Sequence, residues 1–434
     1  MITKIGLLGY GTVGAGVAQI VTQEQALLTQ KLGWTIKLVK AVVRNPQAQR
    51  RFTPPEGLLT TEPDEVVGNP EIEVVCELIG GIEPARTLVL KALSAGQHVI
   101  TANKALLALH GTEIFEKAQE VNRCVMFEAA VAGSIPIIRT IREGLSANRI
   151  QNLYGILNGT TNLILTRMSK DHLTFDSALK EAQQAGYAEA DPTTDVMGYD
   201  AAHKLILLTA LAYGVLPKMD DIHIEGITQL EPEDFSFASE FGYVIKLLAV
   251  SSLVEKETIE ARLQPVMLPA SHLLAGVGGA MNAVMVRGNA SGDIFVSGPG
   301  AGMMPTASAV VGDILEVART TRHSHSDHRP SALGWRSLKS EMIKPITQTS
   351  APYYLRYAVI DRPGVLSSIS GILGRHDISL AQVIQKGQNP QTGTVNLVML
   401  THRAVFGDLS EAVKETQALE VVKGVHLIRV EEFN

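Results

Sequence analysis

The sequence predicts an α/β protein in three parts: a doubly wound parallel-sheet domain, an α+β domain, and a C-terminal ferredoxin-like sandwich. Three observations predict it. A glycine-rich turn, Gly9-Tyr10-Gly11-Thr12-Val13-Gly14, follows an apolar run at 2–8 and opens a helical stretch toward the late twenties. Further apolar runs at 35–43, 71–79, 98–101 and 123–128 are separated by helical patterns. That is the rhythm of parallel strands with crossover helices. Beyond residue 350 the pattern is strand (353–360), helix (to 375), strands (379–386 and 394–401), helix (409–416) and strand (421–430). This β-α-β-β-α-β order is the split βαβ sandwich.

Bulk properties narrow the class. The 434 residues suit two or three domains at about 150 residues each. At 45% hydrophobic and 19% charged, the composition is that of a soluble globular chain. With 38 basic and 44 acidic residues the formal charge is -6. That excludes the basic surface a nucleic-acid binder needs, though a small anionic ligand needs only local positive charge. Cys76 and Cys124 lie inside apolar runs and read as buried reduced thiols, so a reducing, cytoplasmic setting is expected. No apolar run approaches the ~18 residues of a membrane span. The N-terminal run leads straight into the glycine turn, so no signal peptide is expected.

In the first domain, Gly9 permits the tight turn, Gly11 lets the backbone approach a pyrophosphate, and Gly14 lets helix and strand pack closely. The helix start at Thr12 and Val13 offers free N–H groups and a partial positive charge to phosphates. This is a Rossmann-type dinucleotide-binding domain. The second strand ends in Arg44, with Arg50 and Arg51 behind it and no acid. An acid there favours NAD and an arginine the 2′-phosphate of NADP, so NADP is expected, with Arg44 its main contact. Gly80-Gly81 and Lys104 follow the next two strands, at the strand ends where such sheets bind ligands. Glu128 is a carboxylate in an otherwise uncharged run and needs a donor cluster or a cation.

The middle domain starts past Pro136. Residues 137–145 read as helix and 150–157 as strand. Asn158-Gly159-Thr160-Thr161-Asn162 then opens a helix through Met168. That turn suits a carboxylate ligand, or is a plain cap. Residues 176–185 read as a helix capped by Asp176, with Gly186 past its end. The stretch Gly186 to Lys204 carries Glu189, Asp191, Asp195 and Asp200 ahead of an apolar run. From Tyr199 the pattern is helical, so Asp200 and Lys204 share one face of the first turn. The helix is apolar on nearly every side and therefore buried. Charges entering it are costly unless paired or used. Residues 222–296 read as short strands extending a sheet. Gly298 to Gly302 is a second glycine-rich loop, and the helix after it, 306–319, is expected to return to the first domain. Residues 320–349 read as a polar linker; its His323, His325 and His328 beside Asp327 lack an ordered ligand spacing.

The N-terminal glycine turn, Asn103-Lys104, the run Glu128 to Pro136 and above all GYAEADPTTDVMGYDAAHK resemble the signatures of the monofunctional, regulated homoserine dehydrogenase family. The likeness runs through nearly the whole chain. The tail resembles an ACT domain, a module that commonly binds amino acids, and its Asp361-Arg362-Pro363-Gly364-Val365-Leu366 turn carries that likeness. The resemblance implies an NADP-binding domain over 1–135 completed by helix 306–320, a catalytic and dimerisation domain over 136–305, a linker over 321–350 and an ACT domain over 351–434. It implies interconversion of L-homoserine and L-aspartate 4-semialdehyde with NADP or NAD, in threonine, methionine and isoleucine biosynthesis. By position, Lys204 becomes the proton donor, with Lys104 beside substrate and nicotinamide. Glu189 and Asp200 hold the substrate's ammonium, Asp195 joins the substrate site, and Thr160 lies near the substrate's other end. Gly80 and Gly302 become cofactor contacts, and Glu128, Val131, Gly133 and Ile135 a sodium site. L-threonine feedback through the ACT domain and a homodimer or homotetramer are implied as well. Ser134, where a glycine is more usual, and Asp377, where a neutral residue is, depart from the pattern.

The chemistry suits the residue types. Hydride addition to an aldehyde needs a proton for the forming alkoxide, and an ammonium supplies both proton and charge. Two rivals fit less well. Dehydrogenases of phosphorylated hydroxy acids that carry an ACT domain place the glycine motif mid-chain and use a histidine with an acid. An amino-acid sensor that retains a cofactor fold has no need of buried charge at 189–204.

Overall fold

The computed structural model describes residues 2–255, 258–323, 331–339, 342–388 and 393–433. The chain forms two compact units. One comprises Met1–Gly159, Asp200–Asp220 and Met281–Glu341; the other comprises Thr160–Tyr199, Asp221–Ala280 and Met342–Asn434.

The first unit contains the expected parallel sheet. Its strands are β1 (Ile2–Leu8), β2 (Thr35–Val42), β3 (Leu59–Thr60), β4 (Val74–Glu77), β5 (His98–Thr101) and β6 (Val125–Met126), in spatial order β3-β2-β1-β4-β5-β6. Leu8 stands beside Glu77, and Glu77 beside Thr101, so three strands end level at one edge. Crossover helices Thr12–Gln23, Ala85–Ser94 and Lys104–Glu120 complete the doubly wound pattern. The helix Met303–His323 returns to this sheet as expected, and its Val310, Ile314 and Val317 share a core with Ile5, Leu7 and Val17. The fit is close: a Cβ on Gly16 would lie 2.8 Å from that of Ala307.

Several sequence expectations need adjusting here. The run 71–79 yields only the four residues of β4, because Asn69 turns the chain back onto Ile72 and Glu71. The first helix stops at Gln23, and a second, Gln25–Leu32, ends at Gly33 in the left-handed region, φ 86°. The stretch after 320 is not a free linker. The helix runs on to His323, Ala332 and Leu333 are buried, and Trp335 Nε1 donates to the Leu211 carbonyl at 2.9 Å. His325, His328 and Asp327 lie outside the described residues. A second, antiparallel layer in this unit pairs Ile150–Ile156 with Met281–Gly288 and the latter with Gly292–Pro299.

The second unit is built on an antiparallel pair, Tyr243–Glu255 and Thr258–Pro269, longer than the short strands expected. A helix, Pro232–Glu240, stands where strands were expected. Its signals are local: Pro232 in the first turn and a capping box between Glu231 and Asp234. Helix Phe175–Gln184 is capped by Thr174, which accepts from the Ser177 N–H, not by Asp176. The C-terminal sandwich forms as expected, with strands in the order Val422–Val430, Tyr353–Ile360, Thr394–Thr401, Leu380–Gln388. Val422–Val430 also lies parallel to Thr258–Pro269, with Val266 beside Arg429 and Met267 beside Val430. Sandwich and hairpin therefore share one sheet. Asp377, the departure noted in this module, adopts φ 56°. A short polar side chain tolerates that left-handed conformation.

Both cysteines are buried and stand outside any disulfide among the described residues, and burial pushes the Cys76 thiol up. Among the described residues no helix is long and apolar enough to cross a membrane.

Candidate active site

The glycine turn has the shape its residues require. Gly9 sits at φ 104°, where a Cβ would come within 2.8 Å of the Leu78 carbonyl oxygen. A Cβ on Gly14 would lie 2.3 Å from the Gly9 oxygen, so only glycine fits. A Cβ at Gly11 would meet nothing within 4 Å, which leaves that side open. Gly11 is also the helix N-cap and no side chain caps it, so the N–H groups at Thr12 and Val13 remain available. Orphan donors, an open approach and a helix N-terminus fit a pyrophosphate. Gly302, at φ 126°, opens the helix Met303–His323 in the same unit.

At the end of β2, Arg44 is exposed. The structure adds Arg50. Its Nη1 donates to the Tyr10 carbonyl at 2.9 Å and its Nη2 to the Asn45 carbonyl at 2.5 Å, while its Nε is buried without a partner among the described residues. Arg50 thus ties the glycine turn to the loop after β2. Sequence reading noted it only as a neighbour of Arg44, because the tie is tertiary.

The charged cluster forms where the sequence placed it. Lys204 is 8% exposed on the buried helix Tyr199–Tyr213. Its Nζ donates to Asp200 Oδ2 at 2.6 Å and to the Leu157 carbonyl at 2.7 Å. Two of its three N–H bonds are thereby taken among the described residues, and the third is left to give. Asn282 Nδ2 also donates to the Leu157 carbonyl, at 2.9 Å. Lys104 opens the helix Lys104–Glu120, which Asn103 caps by accepting from the Leu106 N–H. Its Nζ lies 3.1 Å from Asp200 Oδ1. Asn158 Nδ2 donates to Asp200 Oδ2 at 2.9 Å. Burial pushes the Asp200 carboxyl up, but Lys204 and then Lys104 pull it down further, to well below the usual carboxylate range. The sequence reading gave Asp200 to the substrate's ammonium. In the structure its oxygens also meet the two lysines and Asn158, so it holds the ammonium groups of Lys104 and Lys204 together, and a substrate ammonium would join that set. His203 is pushed down, by burial first, and favours its neutral form.

Thr160, Glu189 and Asp195 belong to the other unit. Thr160 Oγ1 donates to the Tyr187 carbonyl at 2.9 Å. Glu189 is exposed, and its backbone carbonyl accepts from Gln183 Nε2 at 3.1 Å. Asp195 lies half-buried on the short helix Thr193–Val196. Sequence reading missed Lys246 in this unit. It is buried, with Nζ donating to Asn162 Oδ1 at 3.1 Å and the Val277 carbonyl at 2.6 Å. Burial, and then Lys170, lower its pKa to about 8. A lone lysine within the apolar run Tyr243 to Val250 was the available signal.

At the cation site that the resemblance implies, Glu128 meets protein donors. Glu128 Oε1 accepts from the Ile138 N–H at 2.8 Å and Oε2 from the Arg139 N–H at 3.1 Å. The Glu128 N–H and Arg139 Nη2 each donate to Asp313, at 2.9 and 2.8 Å. Burial, then Asp313, push the Glu128 carboxyl up to about 7. A donor cluster, one of the two partners the sequence leaves open, is therefore present on both carboxylate oxygens. Among the described residues no group of three or more His, Cys, Asp or Glu could hold a metal. The turn Val131 to Ile135 is nonetheless unusual. Ala132 and Gly133 are both left-handed, at φ 54° and 60°, and a Cβ on Gly133 would lie 2.5 Å from the Gly300 oxygen. The Ile135 carbonyl accepts from the Ile137 N–H at 2.8 Å. A tight turn of backbone carbonyls is a donor set that suits a hard monovalent cation.

Comparison with known proteins agrees with this geometry. Residues 9–128 match the family model described as homoserine dehydrogenase, NAD binding domain; residues 136–315 match homoserine dehydrogenase; residues 353–421 match the ACT domain. A homoserine dehydrogenase of Pseudomonas aeruginosa is 44% identical, with 99% of each chain covered. One of Bacillus subtilis is 38% identical over 97% of this chain and 96% of its own. The crystal structure of a homoserine dehydrogenase from Thiobacillus denitrificans superposes with TM-score 0.93 at 44% identity, covering 100% of this chain and 99% of that one. A hyperthermophilic archaeal homoserine dehydrogenase in complex with NADPH matches at TM-score 0.61 and 25% identity, over 78% of this chain and 100% of its own. Glycine turn, lysine pair and C-terminal sandwich thus fall within matched regions that span nearly the whole sequence, and the chain belongs to the homoserine dehydrogenase family, oxidoreductases acting on a CH–OH group.

Proposed function

We propose that the protein reduces L-aspartate 4-semialdehyde to L-homoserine, and runs the reverse oxidation, with NADP(H) preferred to NAD(H). This step serves threonine, methionine and isoleucine biosynthesis. The observation that carries the reading is the buried trio of Lys204, Asp200 and Lys104. The cofactor supplies the hydride. Lys204 has one N–H left to give and delivers that proton to the aldehyde oxygen as the carbonyl electrons move onto it. Its charge, and that of Lys104 held on the same carboxylate, stabilises the developing alkoxide. Asp200 keeps both ammonium groups oriented. Glu189, Asp200, Asp195 and Thr160 remain the residues we assign to the substrate's amino-acid end, on the family likeness. The decisive assay follows NADPH oxidation with L-aspartate 4-semialdehyde; a wild-type enzyme that binds NADPH but does not consume it would overturn the reading in favour of a sensor.

Gly9, Gly11, Thr12, Val13, Gly14, Gly80 and Gly302 would hold the cofactor, and Arg44 and Arg50 would set its preference. A charge-assisted hydrogen bond contributes about 1.5–3 kcal/mol, so Arg50→Ala and Arg44→Ala are each expected to lower the NADPH-to-NADH rate ratio about 10-fold or more. An unchanged ratio in both variants would remove the arginines from that role. A sodium ion would rest on Glu128 and the carbonyls of Val131, Gly133 and Ile135.

We assign the division at about 135, 305, 320 and 350 to cofactor, catalytic, linking and ACT segments, and a homodimer or homotetramer, on the same likeness. The ACT module is read as the seat of L-threonine feedback, since a ligand that binds two states differently shifts their balance. Gly364, at φ 89°, shapes the turn that carries the ACT likeness. Gly364→Val strains that turn and is expected to weaken threonine inhibition on the order of 10-fold. Equal inhibition of variant and wild type would move the effector site elsewhere.

A further inference from the structure

Glu77 is an acid that none of the foregoing uses. It closes β4 at the centre of the parallel sheet and is 0% exposed. Among the described residues no cationic side chain is a hydrogen-bond partner of it. Its Oε1 accepts from the Ile79 N–H at 3.0 Å and the Gly80 N–H at 3.1 Å, and its Oε2 accepts from Thr101 Oγ1 at 2.6 Å. Thr101 Oγ1 in turn accepts from the Asn103 N–H at 2.9 Å. Asn103 Nδ2 donates back to the Gly81 carbonyl at 2.6 Å, and Asn103 Oδ1 caps the next helix through the Leu106 N–H at 3.1 Å. The bonds close a ring, from Glu77 through the turn Ile79-Gly80-Gly81 to Asn103, Thr101 and back.

Such an arrangement is costly. A buried carboxylate without a cation is disfavoured, and burial does push the Glu77 carboxyl up against its neutral donors. A plain strand end needs no acid. What the ring secures is the turn Ile79-Gly80-Gly81, whose two glycines bring no side chain to hold it. Gly80 and Gly81 are exposed, at φ 72° and 71°, and a Cβ built on either would meet nothing within 4 Å. The turn is open on its outer side and anchored from beneath by one carboxylate. Lys104 is the next residue after the ring, and its ammonium must reach Asp200.

We propose that Glu77 is a positioning residue that locks the Ile79-Gly80-Gly81 turn to the start of the Lys104 helix. Cofactor turn and Lys104 then move as one body. The inference rests on the reading that this crevice takes a nicotinamide cofactor and that Lys104 stands beside the substrate. Glu77→Gln keeps the shape and removes the charge; its amide can face Thr101 only as a donor, so the Thr101 hydroxyl proton loses its acceptor. Thr101→Val removes the two ring bonds made by the Thr101 hydroxyl and leaves both N–H contacts of Glu77 intact.

The test measures two quantities on the full chain: the Kd of NADPH by fluorescence titration without substrate, and kcat at saturating NADPH with L-aspartate 4-semialdehyde. A misplacement of 1 Å costs on the order of 100-fold, so the partial slackening in Glu77→Gln is expected to raise Kd about 10-fold and lower kcat about 10-fold. Thr101→Val should shift both in the same direction by less, and the double variant should fall short of the product of the two effects, because both act on one ring. A merely structural acid would lower the melting temperature and leave Kd and kcat of the folded variant unchanged, which would overturn the proposal. Should Glu77→Gln fail to fold, Thr101→Val decides: unchanged Kd and kcat there sink it. A wild type that turns over while both variants behave normally refutes only the role of Glu77. A wild type that does not turn over refutes the reaction instead.

Discussion

Lys204→Ala is expected to lower kcat by at least ~100-fold, the low end for losing a positioned acid. The expectation follows from how little else could replace it. Its Nζ is fixed by Asp200 Oδ2 and the Leu157 carbonyl, which aim the remaining N–H. Among the described residues near it, Lys104 is the other cation on Asp200, at 3.1 Å and through the opposite carboxylate oxygen. Lys104 can therefore preserve much of the charge without the aim. Alanine leaves Asp200 with Lys104 and Asn158, so the carboxylate keeps partners and the fold should survive. Lys204→Arg sharpens the test: it keeps the charge but replaces a compact donor with a planar one that hardly gives up its proton. If electrostatics alone mattered, arginine would restore most of the rate; if proton delivery matters, it will not. Rapid-quench or steady-state turnover with NADPH and the semialdehyde, alongside a melting curve, separates these outcomes. A near-normal rate for the alanine variant would remove Lys204 from the mechanism.

What could be read from the sequence was whatever depended on neighbours along the chain. The i, i+4 spacing of Asp200 and Lys204 on an apolar helix predicted a buried pair, and the pair is there. Gly9, Gly11 and Gly14 predicted a phosphate-sized turn because Gly9 and Gly14 answer local steric demands and Gly11 leaves the approach open. The β-α-β-β-α-β order was legible since each strand and helix carries its own period. Contacts between distant segments were not. Lys104 reaches Asp200, Arg50 reaches Tyr10, and Glu128 reaches Ile138 and Asp313, and no spacing encodes these. Glu77 passed unremarked inside an apolar run because its partners lie on the next turn and the next strand. Pro232–Glu240 is a different failure. The capping signals were present, but the alternating pattern around them was given more weight.

The sharing of one sheet by sandwich and hairpin leads to the second large effect. Glu431→Ala is expected to destabilise the second unit by about 3–5 kcal/mol, the cost of removing one partner of a buried ion pair. Arg262 is 1% exposed and donates from Nη2 to both oxygens of Glu431, at 2.9 and 2.7 Å, while its Nε donates to Glu260 at 2.6 Å. Arg429 shares that Glu260 oxygen at 3.1 Å. Without Glu431 two arginines face one carboxylate, and Arg262 Nη1 already lacks a partner. At roughly 2–4 °C per kcal/mol for a unit of this size, the melting temperature should fall by roughly 10 °C. The paired replacement, Arg262→Met with Glu431→Met, removes both charges and should recover much of that loss, as buried pairs exchanged for apolar side chains do. Catalytic constants at low temperature should change little in the paired variant, whereas threonine inhibition should weaken if this seam transmits the effector's binding. The seam also makes removal of the sandwich a poor probe of feedback. Cutting the chain after the helix Met303–His323 would strip Thr258–Pro269 of its Val422–Val430 neighbour and expose a sheet edge. Lost inhibition would then reflect a damaged catalytic half as readily as a missing sensor. A Glu431→Ala enzyme that melts within about 2 °C of wild type, less than 1 kcal/mol by the same scale, would show that the Arg262 charge finds water or another acid, and that the two modules are only loosely joined.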